Sequence, residues 1–221
     1  MKAIVIFSGG QDSTTCLYWA KNRYKEVEAI TFDYGQKHSI EVDVSKEICK
    51  KNSIKQTIID ISFLDTIVES ALTSNGDVNK INTKNLPASF VPNRNQLFIT
   101  LAHCYAQKIG AEVLITGVCQ TDYSGYPDCR ESFIKAIEWT TNMGSDDSIK
   151  IETPLMYLTK AETFELAEIE GCLKEVVELS HTCYNGNRDK LHEWGYGCDD
   201  CPACELRRKG YYEFKKDDNS N

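Results

Sequence analysis

The chain opens on Ala3-Ile4-Val5-Ile6-Phe7, a continuous apolar run without alternation, which predicts a strand covered on both faces, as in a parallel sheet. A glycine-rich turn follows, and from Asp12 the placing of Cys16, Leu17, Trp19 and Ala20 begins a helix. The unit then repeats, with a strand over 27–32, an amphipathic helix over 38–51 and a strand over 54–61. Residues 74–86 are polar and poor in large apolar side chains, and are expected to form a mobile surface loop able to cover a site. Further on, 96–109 reads as a helix, 112–117 as an apolar strand and 131–143 as a helix. A last helix over 160–170 is started by a capping box of Thr159 and Glu162 and stopped by Gly171.

Strands alternating with helices predict an α/β fold: a Rossmann-like parallel-sheet sandwich with helices on both faces, whose ligands bind beyond the carboxyl ends of the strands. The loops to inspect are therefore 8–13, 33–38, 92–95 and 117–130. Beyond about residue 181 the pattern gives way to Cys, Gly, Asn and Asp. This divides the chain into a main domain, 1–180, and a small metal-organised C-terminal segment, 181–221, packed on it. The tail 215–221 should be frayed.

With 221 residues and 41% hydrophobic content, the chain can bury one sizeable core. Its net charge of −8 argues against a broad basic surface for nucleic-acid backbones, so small molecules are the expected partners. The N-terminal apolar run is too short for a signal peptide, and no stretch approaches the roughly 18 apolar residues that span a bilayer. A cytoplasmic location with no membrane partner is the expectation. Ten cysteines in a reducing compartment must then be core residues, metal ligands or nucleophiles.

Four of them stand together. Cys198-Asp-Asp-Cys201-Pro-Ala-Cys204, with Cys183 upstream, offers thiolates in the C-x₂-C geometry that suits one tetrahedral Zn²⁺. With all four bound no open position remains, so the ion would be structural. The rival ligand is an iron–sulfur cluster, whose fourth cysteine usually follows the first three within a few residues. Cys16, Cys49, Cys104, Cys119 and Cys172 lie in or beside apolar segments and are expected in the core. His181 could replace or support a cysteine, but a satisfied structural histidine is the expected role.

Ser8-Gly9-Gly10-Gln11-Asp12-Ser13 sits between strand and helix, where backbone N–H groups form an anion nest and the Ser8 and Ser13 hydroxyls add donors. It is not a Walker loop, because the turn contains no lysine. Asp12 is placed to orient a magnesium ion, or simply to sit well at a helix N-terminus; the two roles are compatible.

The string SGGQDST in this setting resembles the PP-loop of the N-type ATP pyrophosphatases, which include GMP, NAD and asparagine synthetases and tRNA-modifying enzymes. The resemblance implies an adenine nucleotide alpha hydrolase-like fold and cleavage of ATP, with Mg²⁺, between the α and β phosphates. It places the nucleotide on Phe7, Ser8, Gly9, Gly10, Gln11, Asp12, Ser13, Thr14, Thr15, Cys16 and Leu17. More narrowly, Phe90-Val91-Pro92-Asn93-Arg94-Asn95, the run GVCQTDYSGYPDCR, Leu158-Thr159-Lys160-Ala161-Glu162 and the cysteine tail look like the 7-cyano-7-deazaguanine synthase family, in the same order over 4–210.

That family makes 7-cyano-7-deazaguanine from 7-carboxy-7-deazaguanine, ammonia and two ATP on the path to queuosine, through an adenylated acid, an amide and an adenylated amide. The resemblance implies Ser8, Asp12, Ser13 and Lys160 as catalytic residues, and a homodimer. Among the loop residues, Asp122 and Asp128 suit the adjacent donors of a guanine-like edge, Tyr123 and Tyr126 can stack on the base, and Arg94 or Arg130 can pair with carboxylate or phosphate. No glutaminase domain fits in this length, so free ammonia is the expected nitrogen source. Two other readings stay open: a tRNA-modifying PP-loop ligase, which acidity and the lack of a basic appended domain weigh against, and a non-enzymatic nucleotide-binding module.

Overall fold

The computed structural model describes residues 1–35, 40–68, 70–72, 77–78, 80–81, 86–121 and 126–218. The unalternating N-terminal run forms β1 (Lys2–Ile6). Ala3, Val5 and Phe7 pack with Leu17 and Ala20 of α1 (Gln11–Lys21) and Ile48 of α2 (Ile40–Lys51). Ile4 faces the opposite way, toward Ile99 and Ala102 of α3 (Arg94–Ile109) and Ile134 of α4 (Glu131–Ser145). Both faces are buried, which is why the sequence shows no alternation.

β1 pairs in parallel with β2 (Glu26–Asp33) on one side and β4 (Val113–Ile115) on the other. With β3 (Lys55–Asp60) outside β2 and β5 (Lys150–Glu152) outside β4, the order is β3-β2-β1-β4-β5. Strand order reverses between β1 and β4, so a crevice opens there at the carboxyl ends of both. The loops that follow Ile6 and Ile115 form its rims.

The long periodic elements match expectation, with shifted ends. α3 begins at Arg94 rather than at 96, because Asn93 takes a left-handed φ of 59° and the Asn95 N–H is capped from outside by Asp128. Asp146, also left-handed, ends α4. Both halves of the capping box are present on α5 (Lys160–Ile169): Glu162 N–H donates to Thr159 Oγ1 at 3.2 Å, and Thr159 N–H to Glu162 Oε2 at 2.6 Å. Most of the expected loop 74–86 lies outside the described residues, although Val78 within it is buried.

The C-terminal region holds α6 (Leu173–Glu178), a hairpin of β6 (Leu191–His192) and β7 (Gly195–Tyr196), and α7 (Pro202–Asp218). The expected fraying over 215–221 is corrected for 215–218, since this last helix continues to Asp218, with Phe214 buried against Phe164 of α5; residues 219–221 lie outside the described residues. Gly210 lets the two helices approach: a Cβ there would lie 2.6 Å from the Lys160 Cβ. Cys104, expected in the core, is exposed on α3. Among the described residues no helix is long and apolar enough to cross a membrane.

Candidate active site

Gly9 is the residue that lets the first loop take its shape. Its φ is +83°, and a Cβ would meet the Glu41 carbonyl and the Ser45 N–H of α2, both backbone, at 2.9 Å. Beyond it the loop folds on itself: the Ser8 and Ser13 hydroxyls lie 3.1 Å apart, Gly10 N–H donates to Ser8 Oγ and Ser13 Oγ to the Gly10 carbonyl, each at 3.3 Å. Gly117, just after β4, packs against the same turn, with its hypothetical Cβ 3.2 Å from the Ser13 nitrogen. From the far end of the chain, His181 N–H donates to the Gly9 carbonyl at 3.0 Å.

A cavity of about 280 Å³ opens at this point, lined by Ser8, Gly10, Gln11, Asp12 and Ser13 on one rim and by Thr116 to Cys119 on the other. Tyr34, Glu41, Arg94, Tyr126, Thr182 and Tyr184 are among the residues of the remaining wall. Lys160 reaches the Asp12 carboxylate with Nζ 2.9 Å from both oxygens, although its own side chain is only 9% exposed. Glycine 210 and the α5–α7 packing confine its stem, so its charge is delivered to the phosphate loop and not to solvent.

The opposite wall is cationic at one point. Arg94 Nη1 donates to the Tyr34 hydroxyl at 3.5 Å, and the guanidinium lies 5.5 Å from the Tyr34 ring and 5.9 Å from the Phe98 ring. Burial works against its charge, but Tyr34, Tyr184, Asp128 and Tyr126 around it outweigh that and raise its pKa. Glu41 faces the same space without an ion pair or side-chain hydrogen bond among the described residues, and burial pushes its carboxyl up to about 7 despite the opposing pull of Arg94. Among the described residues, both polar atoms of the Gln11 side chain and Arg94 Nε are buried without hydrogen-bond partners. Such a concentration of unused donors and acceptors around one cavity suits a polar, multiply charged ligand.

The sequence-predicted residues divide accordingly. Ser8, Gly10, Gln11, Asp12, Ser13, Arg94 and Tyr126 line the cavity, whereas Phe7, Cys16 and Leu17 point into the core beneath the loop. Thr14 and Thr15 are fully buried in the same helix turn, where Thr15 Oγ1 donates to the Gln11 carbonyl. Asp128 and Arg130 do not line it. Asp128 is buried behind the wall, where Oδ2 accepts the Asn95 N–H at 3.2 Å, and Arg130 is exposed at the start of α4. Asp122 and Tyr123 lie outside the described residues. His181, expected as a satisfied structural histidine, lines the cavity, and burial lowers its pKa to about 4.

Sequence reasoning missed Tyr34, Glu41, Thr182 and Tyr184. Tyr34 lay within the loop 33–38 marked for inspection but was not singled out, and Glu41 sits as an acidic residue in the first turn of a helix, where nothing local marks it. Nothing local distinguished Thr182 and Tyr184 from their cysteine neighbour.

The four cysteines converge as their spacing requires. The Cys183, Cys198, Cys201 and Cys204 sulfurs all lie within 4.8 Å of one another, and Cys198 and Cys204 are 3.9 Å apart. Tetrahedral metal–sulfur bonds of about 2.3 Å put ligand sulfurs roughly 3.8 Å apart, so the cluster can hold a metal ion. The Cys201 N–H and Asn185 Nδ2 point at Cys198 Sγ, at 3.3 and 3.5 Å, in the manner of donors to a thiolate.

Comparison with known proteins places this geometry. The family model described as queuosine biosynthesis protein QueC matches residues 2–215. A 7-cyano-7-deazaguanine synthase of Wolinella succinogenes is 55% identical over 217 residues, covering 96% of this chain and 93% of that protein. One from Helicobacter pylori is 52% identical over 216 residues, covering 96% and 95%. Among solved structures, a 4-thiouridine synthetase in complex with RNA and bound ATP aligns with a TM-score of 0.54 at 18% identity, over 99% of this chain and 52% of that one. At that identity the likeness is one of fold.

Proposed function

The chain belongs to the QueC family, and on that premise we propose that it converts 7-carboxy-7-deazaguanine and ammonia to 7-cyano-7-deazaguanine, splitting two ATP to AMP and pyrophosphate. The observation that carries this reading is one cavity at the switch point of the sheet with the phosphate loop on one rim and Arg94, Glu41 and Tyr126 on its wall.

In the first step a substrate carboxylate oxygen attacks the α phosphorus, and the bond to the bridging oxygen breaks. Pyrophosphate leaves into the turn of Ser8, Gly10 and Ser13, where backbone N–H groups and hydroxyls receive its charge. Asp12 would hold Mg²⁺, which would offset phosphate charge, and Lys160 holds that carboxylate in place and adds a cation of its own. Arg94 pairs with the carboxylate and Tyr126 stacks on the deazapurine. Ammonia then attacks the acyl carbon, AMP departs, and the surplus proton passes to Glu41, the carboxylate of the wall that is free to take it. In the second round the amide oxygen takes the α phosphate of another ATP, and loss of AMP and the remaining N–H protons leaves the nitrile.

The metal of the cysteine cluster is taken as zinc, one ion per chain and structural, since four thiolates fill a tetrahedron and leave no open position. The working form is taken as a cytoplasmic homodimer.

Mass spectrometry of reactions containing ATP, magnesium, ammonia and 7-carboxy-7-deazaguanine tests the scheme: the amide should appear before the nitrile, with AMP and pyrophosphate released only when the acid is present. ADP as product would refute it.

A further inference from the structure

Arg207, on α7 between the metal-binding cysteines and Gly210, is 1% exposed and makes no ion pair among the described residues. Its guanidinium is spent on three oxygens instead. Nε donates to the Trp194 carbonyl at 2.8 Å, Nη2 to the Val176 carbonyl at 2.6 Å, and Nη1 to Thr182 Oγ1 at 3.1 Å. Any side chain at Gly195 would strike the guanidinium, so the hairpin turn is shaped around it. Burial draws its pKa down to about 10, which leaves it charged at neutral pH.

Thr182 Oγ1 also accepts the N–H of Gln11, the first residue of α1, at 3.4 Å. A hydroxyl has two lone pairs and one proton. Here an N–H from Gln11 faces one lone pair and a charged N–H from Arg207 the other, so the oxygen has only its proton left to offer. Among the described residues that proton is given to no acceptor, and Thr182 lines the cavity beside Gly10 and Gln11.

We propose that Thr182 is a phosphate-binding residue whose hydroxyl donates to the pyrophosphate held by the Ser8–Ser13 loop, and that Arg207 is the positioning residue that fixes this direction. The inference rests on the reading of the loop as the pyrophosphate nest. Through Thr182 the first backbone donor of α1 is relayed outward to the anion, and accepting a bond from a cation makes the hydroxyl a better donor. The arrangement also joins α7, α6 and the hairpin to the phosphate loop through one side chain.

Calorimetric titration of the full-length, metal-loaded protein with magnesium pyrophosphate, and separately with adenosine, tests this. Thr182→Val should weaken pyrophosphate about tenfold or more while adenosine affinity stays within about twofold, and Thr182→Ser should remain within about threefold of the parent. Arg207→Lys should weaken pyrophosphate severalfold in the parent background and have no further effect in the Thr182→Val background, since the two act as one unit. Unchanged pyrophosphate affinity in Thr182→Val, a serine variant as weak as the valine one, or additive losses from Thr182→Val and Arg207→Lys would overturn the assignment. A crystal structure of the parent with pyrophosphate decides independently of how the variants fold: Oγ1 should lie about 3 Å from a phosphate oxygen, and a separation above about 3.5 Å rejects the contact. Failure of the parent itself to bind magnesium pyrophosphate would instead bring down the reading of the loop.

Discussion

Lys160 and Asp12 come from helices far apart in the chain and meet as a two-pronged pair at 2.9 Å. Removing the lysine takes a cation from the transferring phosphate and leaves the aspartate uncompensated, so Lys160→Ala should lower the single-turnover rate of AMP formation about 100-fold. A rate within threefold of the parent would remove Lys160 from the chemistry. Glu41 carries a separate signature. Its carboxyl is raised to about 7 in the folded protein, from an ordinary value near 4.5, so folding favours its neutral form and its ionisation costs stability as pH rises through that interval. Glu41→Gln should therefore be more stable than the parent at pH 8, by about 1–3 kcal/mol, with the difference closing as pH falls toward 4.5. The same variant should lose the rise in amide formation that the parent shows through pH 7, measured at a fixed concentration of free ammonia; an unaltered pH profile would exclude Glu41 as the proton acceptor. Asp12 and Lys160 were legible because they sit within strings of distinctive neighbours. Glu41 was not, because its chemistry comes from the cavity it faces, which only the folded chain creates.

Elements were legible where a local pattern marked them, as the apolar run did even for the three-residue β4. β1, α1, α2, α3 and α5 each span enough residues for a period or a cap to register, whereas β5, β6 and β7 have three residues or fewer and show none. α7 was obscured differently: its apolar positions are sparse and its end is charged, and what keeps it helical is the contact of Phe214 and Tyr211 with Phe164, a tertiary fact. Gly9→Ala places a Cβ against the backbone of α2 at a φ that L residues rarely take, so it should abolish measurable pyrophosphate binding and destabilise the fold by about 1–3 kcal/mol in denaturant titration. Stripping the metal with a chelator should lower the melting temperature and also weaken pyrophosphate binding, because Arg207 rides on the helix that carries Cys204. Retained pyrophosphate affinity in the stripped protein would mean that α7 holds its place without the ion.

For the molecule as a whole, the strand order explains why residues from both ends of the chain share one cavity: the crevice beside β1 receives the phosphate loop, the turn after β4 and the segment around His181. The two activations proposed imply two AMP released per nitrile formed and a single AMP when the amide is supplied as substrate. A ratio of one AMP per nitrile from the acid would contradict this. A site beyond the carboxyl ends of the strands was readable from the alternation of strands and helices, and the phosphate loop from its own string, but the switch point needed the strand order. The far wall was not, since its residues are scattered along the chain and gathered only by the sheet.

The central position of β1 also governs how the protein is assembled in time. Ile4 meets its partner Glu28 on β2 after a short stretch of chain, but its partner Leu114 on β4 arrives only when about half the polypeptide has been made. Closing the roughly four- to fivefold longer loop costs about 1.4 kcal/mol more in chain entropy, and pairings of such long range slow folding. During refolding, amides of β1 and β2 should gain protection from exchange before those of β4, and the hollow that receives nucleotide should be among the last features to form.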